Sequence, residues 1–257
     1  MRKNRYYRGQ GTCYIAELDT ITRNPKGFRT LGNTPEVNLS VDVEQAEHYE
    51  SSTGFGLKDD VVETQQEGMI NITLDNYSRE NLAFAMFGKE PEIVESGSAT
   101  DEPHTAYPGY AIFLDNANVS NVVVTVDGET EPLVEGEDYT VDEKFGRIDV
   151  LEDGSAVEED ALLVDYDFQA SEIIGAFTKF NTEKYVLFEG LNTAEDYSPV
   201  IIECYRVRFQ PLDEWELIGD DYGSISLEGY LMADLTRSKD DIGGYFAKVR
   251  QAVRELA

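Results

Sequence analysis

Short runs of alternating apolar and polar side chains punctuate this chain, and period-two alternation marks strands with one buried face. The clearest pair is residues 35–43, with Val37, Leu39, Val41 and Val43 on one side, and residues 69–75, with Ile70, Ile72 and Leu74 on one side. Both are expected to be strands with those faces inward. Residues 44–68 between them are polar, and this 25-residue stretch is expected to be a long loop. A hairpin needs only a few residues, so an excursion of that length points to function. After the second strand, Asn76 or Ser78 can cap a short helix. Leu82, Ala85 and Met86 fall on one of its faces, and Gly88 suits its C′ position.

Similar patterns predict strands over 11–18, 110–114, 119–126, 139–141, 147–151, 161–168, 184–191, 200–209 and 224–231. In 200–209, Tyr205, Val207 and Phe209 alternate with Arg206 and Arg208. Trp215, Leu217 and Ile218 suggest one more strand. Residues 22–33 read as a polar connection, with turn chemistry at Asn24-Pro25 and Lys26-Gly27. Residues 90–106, acidic and rich in Gly, Ser, Pro and Thr, read as a linker. The end changes period again: Phe246, Val249, Val253 and Leu256 line one stripe of a helix expected over 246–256. That stripe needs a place to dock, on its own domain or on a neighbouring subunit.

Charge redraws this layout. The 257 residues hold 51 acidic and 21 basic side chains, a net of −30. Residues 90–170 carry 22 acids against 2 bases, Lys144 and Arg147, so two thirds of the excess sits in under a third of the chain. A charge step of that size marks an inserted all-β domain, bounded at 96–169 and interrupting a domain made of 1–95 and 170–257. The overall field repels nucleic acid and anionic membrane, which argues against a stationary DNA or RNA binder. Halophilic adaptation is a second account of the acidity. Residues 1–10 run the other way, with Arg2, Lys3, Arg5 and Arg8 beside Tyr6 and Tyr7 and no acid. Such an arm suits an acidic neighbouring subunit better than DNA, because the whole-molecule field opposes DNA. No apolar run approaches a membrane span, and no apolar core follows the basic N-terminus as a secretory signal would require. Cys13 and Cys204 are expected to be reduced core thiols.

Strand, long reaching segment, strand and short capped helix also occur together in a known family. Leu31-Gly32-Asn33-Thr34-Pro35, the Glu-rich start of the 44–68 segment, Ser51-Ser52, and Asn81-Leu82-Ala83 running to Phe87-Gly88 resemble the major tail tube proteins of long-tailed bacteriophages. Order and spacing carry the resemblance, closely over 1–95 and more loosely over 171–257. It implies a tail-tube-type β-sandwich with a flanking helix, closing into six-membered rings that stack as a conduit for DNA. The implied partners are other copies of the chain, the tape measure, terminator and tip proteins of the tail, and phage DNA passing without specific binding. The implied location is the virion tail, with assembly in the host cytoplasm. The inserted domain would lie outside the tube. In that family, strand edges pair into an inner barrel. If the two clearest strands line it, Asn38, Ser40, Asp42, Asn71, Thr73 and Asp75 face the lumen. Subunit or ring contacts would come from Arg2, Lys3, Arg5, Tyr6, Tyr7, Phe55, Phe246, Val249 and Val253. Phe55 stands out as an aromatic between two glycines.

Catalytic chemistry finds little support, and no enzyme, cofactor or metal is expected. His48 and His104 are the only histidines, both in loop-like polar sequence, and they cannot be assembled with two distant cysteines into a zinc site. Gly9-Gln10-Gly11 lacks the strand–turn–helix context of a dinucleotide site, and no Gly-x-Ser-x-Gly elbow is present. The acidic turns Glu152-Asp153-Gly154 and Asp220-Asp221-Tyr222-Gly223 lack EF-hand spacing. The alternative reading is an acidic β-sandwich binding module or glycoside-active enzyme, calcium-stabilised through such turns. It would run as a monomer, whereas a tube subunit would form rings or tubes.

Overall fold

The computed structural model describes residues 6–179 and 183–252 and is mainly β. Its strands are β1 (Gly9–Glu17), β2 (Arg29–Thr30), β3 (Glu36–Tyr49), β4 (Lys58–Leu74), β5 (Glu92–Val94), β6 (Gly97–Thr105), β7 (Ala111–Phe113) and β8 (Val119–Val126). They continue as β9 (Tyr139–Asp142), β10 (Arg147–Val150), β11 (Ala161–Phe168), β12 (Ser171–Ile173), β13 (Lys184–Asn192), β14 (Ser198–Phe209), β15 (Ile225–Leu231) and β16 (Ala247–Gln251). One short helix, α1 (Arg79–Ala85), follows β4. The described residues form two compact units, one reaching Glu90 and resuming at Gly175, the other spanning Pro91–Ile174.

The first unit is built on an eight-stranded sheet in the order β2-β1-β13-β14-β15-β4-β3, with β16 also on β14. β14 serves two neighbours along one edge: Val200–Cys204 pairs with β16, and Val207–Phe209 pairs with β15. Its register with β13 shifts between Lys184 and Val186. Such a bulge bends a strand and raises its twist. Side chains from both stretches of the sheet meet in one cluster: Cys13, Ile15, Val186 and Cys204 with Ile70, Ile72, Leu74, Val207, Phe209, Ile225 and Leu227. Burial pushes both cysteine thiols up to about 12, so they sit in the core as neutral thiols.

Helix α1 seals one flank of that cluster. Ser78 caps it, its hydroxyl accepting from the Asn81 amide at 3.3 Å. Asn81 is fully buried, and a buried amide must find partners. Its Nδ2 donates to the Leu31 and Asn76 carbonyls at 2.8 and 3.1 Å, and its Oδ1 accepts from Arg29 at 2.7 Å. At the other end the Gly88 amide bonds back to the Ala83 carbonyl and the Phe87 amide to that of Phe84, which is the Schellman pattern. Phe87, not Gly88, therefore takes the left-handed C′ position, at φ +51°. Gly88 is needed for space instead, since a Cβ there would lie 2.5 Å from the Gly175 carbonyl oxygen.

The second unit packs two three-stranded sheets, β6-β11-β8 and β7-β10-β9, around Val119, Val124, Tyr139, Ile148, Val150, Leu162, Val164 and Tyr166. Its two ends form a short antiparallel ribbon, with Val94 opposite Ser171 and Glu92 opposite Ile173.

Several expectations need correction. The 44–68 stretch is a loop only at its tip, because β3 and β4 stay paired as far as Tyr49 and Lys58. Polar and β-branched residues there satisfy each other's backbone groups without any core beneath them. The β3 apolar face is not buried: Val37 and Val43 are half-covered, while Leu39 and Val41 are 39% and 70% exposed. β3 is the last strand of its sheet, and no second layer covers it. Residues 90–106 are not a linker, since β6 supplies the partner β11 needs on one edge. The connection at 22–33 contains β2. Trp215, Leu217 and Ile218 form no strand; Trp215 stacks on Tyr77, and the other two are exposed. In its described part the expected C-terminal helix is instead β16, because the Val200–Cys204 edge of β14 offers five ladder pairs, while Val253 and Leu256 lie outside the described residues. A run that short fits either period.

Candidate assembly surface

The β3–β4 hairpin carries the surface. β15 supports β4 only along Gly68–Leu74, so beyond that point the two strands continue alone. An isolated two-stranded ribbon is marginal in water, and this one exposes Tyr49, Leu57, Val61 and Val62 as well as Val41. Residues 42–67 hold eight acids and one base, Lys58, so the arm is apolar and strongly anionic together. Its tip is ordered locally. The Glu50 carboxylate accepts from the Thr53 hydroxyl and amide and from the Ser52 hydroxyl and amide, which brings it down to about 2. Gly54 and Gly56 adopt positive φ and leave Phe55 between them 83% exposed.

Five of the six residues expected at a lumen, all but Asp75, fall on one face of the β3–β4 pair. Asn38 is paired with Asn71, Ser40 with Met69, and Glu36 with Thr73, while Asp42 is paired with Glu67. Asp75 lies just past β4, within 2.5 Å of Asn33 Nδ2. The register extends this face to strands that the sequence did not connect. Ser226 stands beside Thr73, Glu228 beside Asn71, and Tyr230 beside Met69, with Arg208 next to Tyr230. The alternation of 224–231 was legible, but strand order was not. The face is polar and acidic, and Arg208 is the one base that these strand registers place on it.

The expected contact residues are scattered. Arg2, Lys3, Arg5 and Val253 lie outside the described residues. Tyr6 and Tyr7 are exposed, beside an anchor in which Asn192 accepts from the Arg8 amide and donates to the Tyr6 carbonyl. Phe246 is half-buried against the main cluster of its own unit, one of the two docking places expected for that stripe. Val249 is exposed on β16, opposite Ile202.

The histidines also differ from expectation. His48 is an exposed strand residue, its Nδ1 2.5 Å from Asp59. His104 lies in β6 and is largely buried, its Nε2 2.8 Å from Glu102. Glu102 accepts as well from the Tyr166 hydroxyl and the Asp115 amide. Burial pushes the Glu102 carboxyl up, but these bonds outweigh it and hold it below its ordinary value. No nucleophile completes this group. Among the described residues, no cluster of three or more His, Cys, Asp or Glu is placed to hold a metal ion, and no helix is long and apolar enough to cross a membrane.

A comparison with curated proteins finds no match. A family model matches residues 6–249, spanning both units and the whole surface described above. The chain therefore belongs to the family described as protein of unknown function UCP028589.

Proposed function

We propose that this chain is a structural subunit that closes with copies of itself into six-membered rings, and that the rings stack into a tube serving as a phage tail conduit for DNA. One observation carries the proposal. β3 is an open edge strand with uncovered apolar side chains, and it runs on into a two-stranded arm that has no core of its own. Exposed edges are ordinarily blunted, and pairing with another chain removes the liability. In this reading the eight-stranded sheet doubles over at the β14 bulge into a β-sandwich. The β14-β15-β4-β3 stretch is its inner wall, with the polar face inward. A lumen poor in Lys and Arg lets a polyanion pass, because each cation–phosphate contact adds affinity through counterion release. The 22 acids of Pro91–Ile174 stand outside the tube, where salt screens them. Negative-stain electron microscopy and light scattering test the proposal. Rings or tubes are expected, and a sharp monomer across a wide concentration range, with tail initiator supplied, overturns it.

A further inference from the structure

Two segments of the first unit are complementary in charge, and within one copy the described part of each stays uncovered. Residues 1–10 hold Arg2, Lys3, Arg5 and Arg8 with Tyr6 and Tyr7 and no acid. Their entry into β1 is fixed: Asn192 holds the Arg8 amide and the Tyr6 carbonyl, and the Thr193 hydroxyl donates to the Arg8 carbonyl. Tyr6 and Tyr7 are 70% and 56% exposed, and the Arg8 guanidinium has no hydrogen bond or ion pair among the described residues.

The β3–β4 ribbon is the counterpart. Asp42 stands directly opposite Glu67, both exposed, and like charges facing across a ladder repel. The ribbon's single base, Lys58, is bound to Glu47, and His48 lies beside Asp59. Asp42, Glu44, Asp60, Glu63 and Glu67 therefore have no cation among the described residues. Val41, Val61 and Val62 are exposed along the same ribbon, and the outer edge of β3 has no ladder partner. A metal ion or a polyamine would answer the charge alone. An extended segment bearing arginines and tyrosines answers all three needs: guanidiniums meet carboxylates, rings cover valines, and backbone adds a strand to the edge.

Ladder order brings the two together between copies. Gly9 pairs with Asn192, which pairs with Ser198 at the start of β14. Gly68 pairs with Leu231, which pairs with Val207 farther along β14, and the ribbon runs from there back toward that same end. Rotation about a ring axis leaves heights along the axis unchanged, so both features project from the same side of a ring. We infer that the basic segment of one copy docks along the acidic β3–β4 ribbon of a second copy. The inference rests on the ring reading and names the contact that joins neighbours.

Charge reversal in two full-length variants tests it, read by light scattering and electron microscopy at low salt. One carries Arg2→Glu, Arg5→Glu and Arg8→Glu; the other carries Asp42→Lys, Glu63→Lys and Glu67→Lys. Unchanged thermal unfolding verifies that each folds, and if the ribbon variant unfolds, the segment variant decides. Each variant alone should need at least about tenfold more protein than wild type to assemble, the scale of three lost ion pairs. Mixed in equal amounts they should assemble near the wild-type concentration, because each offers the charge that the other lacks. Assembly of either variant alone at the wild-type concentration overturns the inference, as does a mixture that assembles no better than its parts. A wild type that stays monomeric overturns the ring reading itself, so the two failures are distinct.

Discussion

Asn38 on β3 and Asn71 on β4 stand directly opposite each other, both exposed, in the middle of a face whose register-placed neighbours include several acids and one arginine. In a tube lumen that pairing gives DNA nothing to hold. Changing Ser40 and Asn71 together to Lys should leave assembly intact. It should slow DNA ejection at about 50 mM salt and restore it near 200 mM, since phosphate contacts weaken steeply over that range. Ejection kinetics unchanged at both salts would place this face elsewhere.

Phe55 contributes nothing visible to the core of its own chain. Phe55→Ala should therefore leave thermal unfolding unchanged within about 0.5 kcal/mol, as expected of an exposed site. Assembly should fail, because a solvated aromatic on a glycine-flanked tip suits a neighbour's pocket as an anchor. Tubes formed at wild-type concentration by the variant would remove Phe55 from the interface.

Phe209 offers the contrasting case. It is buried, and its ring meets Phe84 edge-on at 5.1 Å, which ties β14 to the helix. Phe209→Ala is expected to cost about 3–5 kcal/mol through lost contact and the cavity left behind. Chemical denaturation of the variant measures it, and a loss under about 1 kcal/mol would contradict the packing described.

Glu102 should make the second unit acid-sensitive. Its folded-state carboxyl is held below its ordinary value, so its stabilising contribution is complete above the unfolded-state value. That contribution drains away as pH falls through the folded one. Glu102→Gln should flatten the unit's stability between about pH 5 and pH 3, the range of carboxylate titration. Amide exchange at β6 and β11 reports it, and the same acid response in wild type and variant would assign the sensitivity to other carboxylates.

Joining Glu95 to Ala170 through a short Gly-Ser linker should give a soluble chain that still assembles. The two cut points adjoin paired residues of the β5–β12 ribbon, so a short span suffices. Insolubility of the shortened chain would show that the first unit depends on the second.

Strand existence was legible wherever alternation was strong: residues 119–126 and 161–168 match β8 and β11 end to end. What alternation cannot show is which strand ends a sheet. The β3 pattern reads as half-buried, yet Leu39 and Val41 are open because no layer lies above them. The 44–68 stretch looked like a loop because its residues are polar, and polarity reports burial rather than backbone pairing. β16 was misread because Phe246 and Val249 suit a helix or a strand equally well, and the partner that decides between them is the distant edge of β14. Of the candidate surface, Asn38, Ser40, Asp42, Asn71 and Thr73 on one face followed from parity alone. Ser226, Glu228, Tyr230 and Arg208 required strand order, which is a property of the tertiary fold.

The β5–β12 ribbon brings the chain back to where it left. Since Glu92 faces Ile173, the first unit closes across Pro91–Ile174 much as it would across a tight turn. The sequence beyond that ribbon is then under little obligation to the sheet that hosts it. Any domain whose ends lie a few ångströms apart could take the same position, so the second unit could be replaced by a cargo of choice at a single fixed doorway.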